Sequence, residues 1–295
     1  MAQEPMAIPA IIAEEGLDVK DKRSQWEQRW SISPMEMEPM DNLPQPFFSI
    51  VIPTRQRVTD GKLKRCLTSV TTQTFENFEV IVVDDGSDKV NEDVEGLVSQ
   101  YDQRFIYLGV KHGMRVNARN AGMSLAKGQW ITWLDDDDAL DALYLQAFAY
   151  HIQGQPEVKL WVGGVVLHGM IVEGGQHLVP KWSKVRPAWI PPLNKPGNRP
   201  PVHKFFHSGK VGTGMFVFAA ECLEQTGLMP PWRTVYEVAD GIHDWTGYTT
   251  DPPFYSAAKK WVGNPWGDDH AMFLKLCRYY EVHSIGAALY VQYCR

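Results

Sequence analysis

Residues 133–140 read WLDDDDAL, and the four consecutive carboxylates after an apolar run are where chemistry would first be sought in this chain. Adjacent negative charges repel one another, so a plain fold gains nothing by placing them there. A divalent cation, Mg²⁺ or Mn²⁺, removes the conflict. It wants oxygen ligands and often takes only one or two carboxylates while phosphates supply the rest. If the chain stays extended, the alternation of a strand turns Asp135 and Asp137 to one side. One would then reach a ribose hydroxyl and the other the metal. The competing reading is a solvated cap for a following helix, with Asp138 as the capping residue.

Three further clusters carry polar groups of useful types. VVDDGS (82–87) ends an apolar run on Asp84 and Asp85, where a carboxylate can accept a base N–H; an Asx turn closed by Gly86 explains the same residues equally well. In VNARNAG (116–122), preceded by Arg115, the Arg115/Arg119 spacing puts two guanidiniums one helical turn apart near a positive helix end, which suits a diphosphate. WGDDHAMFLKL (266–276) opens an amphipathic helix with Asp268 and Asp269, either as caps or as a general base set against an acceptor hydroxyl. His203 and His207 have H-x-x-x-H spacing but sit in a proline-rich stretch, a poor frame for zinc.

These clusters fall at the ends of elements. Apolar strands are expected at Phe47–Pro53, Phe78–Asp85, Arg104–Gly109 and Gln129–Asp135, alternating with helices at Lys62–Thr72, toward Tyr101, Val116–Lys127 and Leu140–His151. Continuous apolar strands alternating with amphipathic helices imply an α/β fold with a mostly parallel sheet covered on both faces. Such sheets bind ligands beyond the carboxyl ends of their strands, where Pro53-Thr54, Asp84-Asp85 and Asp135–Asp138 stand. Residues 1–46 read as an appendage with one helix near Lys20–Trp30, residues 47–150 as a ligand-binding half, and residues 151–295 as the second half of the same domain. In that second half a hairpin is expected over Val158–Val179, a short helix from Ala219, a helix over Asp268–Tyr280 and a strand over Ala287–Tyr293. Between Pro180 and Lys210 lie seven Lys or Arg, seven prolines and no acid: a solvated loop, or a wall that folds over a diphosphate.

Composition narrows the classes. A net charge of −6 argues against general nucleic-acid binding. Four cysteines without CxxC spacing read as reduced thiols. The N-terminus lacks a basic region before an apolar run, and no stretch is apolar enough to span a membrane, so a cytoplasmic enzyme is expected, with peripheral membrane association and homo-oligomer formation both compatible.

Taken together, SIVIPTRQR, QTFENFEVIVVDDGSD, NARNAGMSLAKGQWITWLDDDD and the later GDDHAMFLKL resemble glycosyltransferase family 2, inverting enzymes of GT-A fold, over about residues 48–150 and more loosely over 211–295. That resemblance implies a nucleotide-sugar donor, most often UDP-linked, Mn²⁺ or Mg²⁺, and inversion at the anomeric carbon. It implies that Pro53, Thr54 and Arg55 line the nucleotide pocket, that Asp85 holds the base beside Asp84, and that Arg119 lies on the nucleotide side. It further implies Asp135 at the ribose with Asp136 beside it, Asp137 at the metal, Asp269 as base after Asp268, and Arg295 near the diphosphate. Asp268 stands where the family has Glu, and Lys111-His112 where it often has Asn.

The expected reaction is one displacement from donor to the hydroxyl of a saccharide, lipid-linked or other acceptor. Two alternatives stay open: a non-catalytic relative that binds nucleotide-sugar or glycan, and a sugar nucleotidyltransferase. The latter would want a glycine-rich phosphate loop after the first strand, where this chain has PTRQR and no glycine before Gly61.

Overall fold

The computed structural model describes residues 45–173, 177–187, 214–229, 268–277 and 279–294. The expected appendage helix, the remainder of the basic segment with His203 and His207, and Arg295 lie outside the described residues, as does the side chain of Asp268.

Strands β1 (Phe48–Thr54) and β2 (Phe78–Asp85) are buried along their whole length, as mostly apolar strands covered on both faces are, and the buried Ser49 hydroxyl donates to Glu79 at 2.6 Å. They pair in parallel, Phe48 opposite Phe78 through to Thr54 opposite Asp84. Strand β3 (Phe105–Val110) adds to the outer side of β2, and β4 (Trp130–Trp133) to the other side of β1, both parallel. All four carboxyl ends therefore share one edge.

Helices cover this sheet with the periodicity their sequences show. In α1 (Lys62–Thr71), Leu63, Cys66, Leu67 and Val70 form one buried stripe. The short α2 (Val94–Val98) is capped by Asp93, which accepts from the Gly96 amide at 2.8 Å. Helix α3 (Met114–Leu125) comes very close to the sheet: a Cβ on Gly122 would stand 2.3 Å from a Val51 methyl, so only glycine fits that crossing.

One expected helix starts later than its sequence suggests. Ala139–Leu140 form a short strand, β5, antiparallel to the last strand of the chain, and α4 runs Tyr144–Gly154. Tyr144, Leu145, Phe148, Ala149 and Ile152 make its buried face. Leu143 is its N-cap and supplies no side-chain bond, so Asp138 caps no helix. The apolar pair Ala139-Leu140 finds a strand partner far along the chain, which helical periodicity alone cannot reveal.

The second half continues the same sheet. β6 (Leu160–Glu173) and β7 (His177–Arg186) form an antiparallel hairpin, with β8 (Phe216–Ala219) between β4 and β6. The beginning of the basic segment, up to Arg186, is thus strand rather than loop. A short α5 (Cys222–Thr226) follows, then α6 (Asp268–Cys277) and β9 (Val282–Cys294), which lies parallel to β6. The sheet order is β3-β2-β1-β4-β8-β6-β9-β5, with β7 also paired to β6. Trp133 packs edge-on to both Phe216 and Phe218 at the centre, with its ring centroid 5.4 Å from that of Phe216. No helix among the described residues is long and apolar enough to cross a membrane.

Candidate active site

Immediately after β4 the chain bends. The Asp138 amide donates to the Asp135 carbonyl at 3.1 Å, closing a turn over Asp135–Asp138. The alternation argument for Asp135 and Asp137 therefore fails, since it needs an extended chain. The turn answers the repulsion among four carboxylates by sending each to a different partner.

Asp135 accepts from Arg119 at 2.8 Å and has the Arg115 guanidinium at 3.8 Å. Arg119 has no solvent exposure, and its guanidinium lies 4.8 Å over the Trp133 ring. The two arginines expected to face a diphosphate thus converge on Asp135, and Arg119 lies beneath the turn. Asp136 accepts weakly from the Arg55 amide at 3.4 Å, with the Arg57 guanidinium at 3.7 Å. Burial, aided by the charges of Asp137 and Asp135 and opposed by Thr54 and Arg57, holds the Asp136 carboxyl up at about 7. Asp138 accepts from the Tyr290 hydroxyl at 2.5 Å and the Tyr293 amide at 3.1 Å, and its carboxyl is pushed well up, by burial first and then by Asp135.

Asp137 differs. Its carbonyl accepts from Arg65 at 2.6 Å, but among the described residues its half-buried carboxylate accepts no hydrogen bond. It is the one acid of the turn whose oxygens remain available to an incoming group.

The ends of β1 and β2 frame the other side. Pro53 and Thr54 are buried and Arg55 is exposed. The loop that follows is held off-strand: Gln56 has φ 55, an uncommon conformation for a non-glycine residue, and its amide donates to Ser87 at 2.9 Å. Glu92 accepts from the Val58 amide at 2.6 Å, the Thr59 amide at 3.1 Å and the Thr59 hydroxyl at 2.5 Å. Burial acts against ionisation of Glu92, but these bonds outweigh it and hold the carboxyl below its ordinary range.

Asp84 and Asp85 take separate roles. Asp84 accepts from the Ser87 amide at 2.9 Å, an Asx turn, and from the Tyr107 hydroxyl at 3.2 Å. Asp85 pairs with His112 at 2.8 Å and accepts from the Gly113 amide at 2.7 Å, so both its oxygens anchor the segment that enters α3. Gly86, at φ +72, permits this: a Cβ there would stand 3.0 Å from His112. His112 itself is largely exposed above Asp85.

Helix α6 packs on the strands beneath this region. Phe273 lies on Phe216 at 5.4 Å, and Phe216 lies on Trp133, two residues before the acidic turn. Asp269 is half-buried one turn before Phe273, so it shares that helix face. Reading the sequence for motifs passes over Arg65, Glu92 and Tyr290. Each acts through a contact distant in sequence, and none sits in a distinctive pattern.

A sheet whose first four strands run parallel, with acids, arginines and the Gln56 loop gathered on their carboxyl edge, has the architecture of the GT-A fold. Residues 49–188 match the family model described as "Glycosyl transferase family 2". The glycosyltransferase GlyA of Streptococcus pneumoniae is 30% identical over 98 residues, which is 33% of this chain and 14% of that protein. The "GalNAc(5)-diNAcBac-PP-undecaprenol beta-1,3-glucosyltransferase" of Campylobacter jejuni is 34% identical over 98 residues, 32% of this chain and 31% of that protein. The crystal structure of S. aureus TarS shares the fold, with a TM-score of 0.50 at 15% identity over 83% of this chain and 36% of that one. The chain thus spans about a third or less of the length of these relatives.

Proposed function

We propose that this protein is an inverting glycosyltransferase that moves a sugar from a nucleoside diphosphate, UDP by preference, to an acceptor hydroxyl with the help of Mn²⁺ or Mg²⁺. The observation that carries the reading is the partition of the acidic turn within the segment that matches the family 2 model. Asp135, Asp136 and Asp138 are engaged by protein groups, while Asp137 keeps its carboxylate open at the carboxyl edge of the sheet.

The residues present fit a hard divalent cation of this kind. Among the described residues no three His, Cys, Asp or Glu side chains gather to hold a metal. A cation that takes one carboxylate from the protein and the rest from diphosphate and water matches a lone open Asp137. When bound, it would supply positive charge against the departing diphosphate.

The chain's own groups supply the rest. Arg55, exposed at the mouth, and Arg57, half-buried against Asp136, add positive charge beside the place a diphosphate would occupy. Asp269 takes the proton of the acceptor hydroxyl as that oxygen forms its bond to the anomeric carbon. The bond from that carbon to the diphosphate oxygen breaks, and the electron pair leaves with the diphosphate. The base of the donor would meet the Asp85–His112 pair rather than a bare carboxylate. Arg295 and the basic stretch beyond Arg186 are proposed to face the diphosphate and to limit access of water.

The test is donor turnover by the full chain with UDP-sugars, with and without Mn²⁺, in the presence and absence of simple sugar acceptors. Metal-dependent release of UDP supports the reading. Nucleotide binding without any turnover would instead favour a non-catalytic binding protein.

A further inference from the structure

We propose that Arg65 and Tyr293 are positioning residues for Asp137, holding the acidic turn so that this carboxylate faces the incoming group. The inference rests on the metal-side reading of Asp137 and deepens it by assigning what sets that residue's orientation.

No described side chain or amide fixes the Asp137 carboxylate directly, so its direction follows from its backbone. That backbone is secured at two adjoining points. The Asp137 carbonyl accepts from the Arg65 guanidinium at 2.6 Å, and the guanidinium lies 3.9 Å over the Tyr293 ring. The next residue, Asp138, is bound by the Tyr290 hydroxyl at 2.5 Å and the Tyr293 amide at 3.1 Å. Tyr293 therefore acts twice, through its ring on Arg65 and through its backbone on Asp138. Helix α1, strand β9 and the turn meet at these contacts, beside the Cys66 thiol, which lies 3.5 Å from the Asp135 carbonyl.

The choice of side chain supports a positioning role. Among the described residues the buried Nε of Arg65 has no hydrogen-bond partner, a cost in stability that an apolar side chain of similar length would avoid. What arginine adds is geometry: a planar fork that can stack on a ring and donate at a fixed angle, which lysine cannot reproduce. Groups that orient a ligating residue from outside are known to change metal affinity by about 10–100-fold when removed.

The experiment is calorimetric titration of UDP into the full chain with and without Mn²⁺, reading the ratio of the two affinities, alongside a melting curve for each variant. Arg65→Lys and Tyr293→Leu are expected to lower the Mn²⁺ enhancement by about 10-fold or more, with metal-free UDP affinity unchanged. Tyr293→Phe keeps the ring and should keep the enhancement, which a purely structural hydroxyl role would not predict. Folded Arg65→Lys and Tyr293→Leu proteins that retain the full enhancement would overturn the positioning role alone. A wild-type protein that binds UDP equally with and without Mn²⁺ would remove the metal-side reading of Asp137, and this inference with it.

Discussion

Arg119 and Asp135 form an ion pair at 2.8 Å in which the arginine is wholly enclosed and the aspartate keeps a fifth of its side-chain surface. The pair lets the chain hold an acid at the end of β4 without paying for a buried charge alone. It also explains why the first Asp of the cluster is held beneath the site while Asp137 is left open.

Removal of the arginine should therefore act first on the fold. Arg119→Met is expected to destabilise by about 3 kcal/mol, near the low end for a broken buried pair because Asp135 keeps some contact with water. Urea unfolding checks it. The double variant Arg119→Met with Asp135→Asn should recover part of the loss, since the uncompensated charge is then gone.

Asp137→Ala should separate stability from function. It removes one acid from a crowded turn, so the melting temperature should hold or rise slightly, while the Mn²⁺ enhancement of UDP binding should vanish. Calorimetry on the purified variant reads both. Unchanged enhancement would place the metal elsewhere.

For Asp269, replacement by Asn keeps the shape and removes the basic oxygen. Transfer should fall by roughly 10²–10⁴-fold with UDP affinity preserved. Asp268→Asn should cost less, because adjacent residues at a helix start point about 100° apart and only one of them can face the site. Two active variants would remove the base from α6 altogether.

Glu92 offers a pH test of the β1–α1 loop. Its carboxyl is held below the ordinary range in the folded state, so its contribution is complete at neutral pH and fades as pH falls through that lowered value. Glu92→Gln should cost about 1–2 kcal/mol near pH 7, through the loss of charge-assisted bonds to Val58 and Thr59. The gap between the two proteins should narrow toward acid pH, as denaturant melts at a series of pH values would show. A pH-independent gap would mean that Glu92 is held by packing rather than by its charge.

The amino-acid sequence by itself determined the scaffold of the first half. The β-branched run Val80–Val83 reads as a strand buried on both faces, and the Leu63/Cys66/Leu67/Val70 spacing as one buried side of a helix. Because ligands of parallel sheets meet the carboxyl ends of strands, the neighbourhood of Thr54, Asp85 and Asp135 was legible too. The tertiary structure alone decided which acid does what. Whether Ala139-Leu140 continues a helix or pairs with β9, and whether Asp138 caps a helix or binds Tyr290, depends on a strand about 150 residues away. Likewise, two arginines at helical spacing look alike in sequence, yet burial over Trp133 commits Arg119 to Asp135. Periodicity records which face of an element is wet or dry and says nothing about the element it meets. Side-chain partners, and hence charge states and open ligands, arise only when those faces pack.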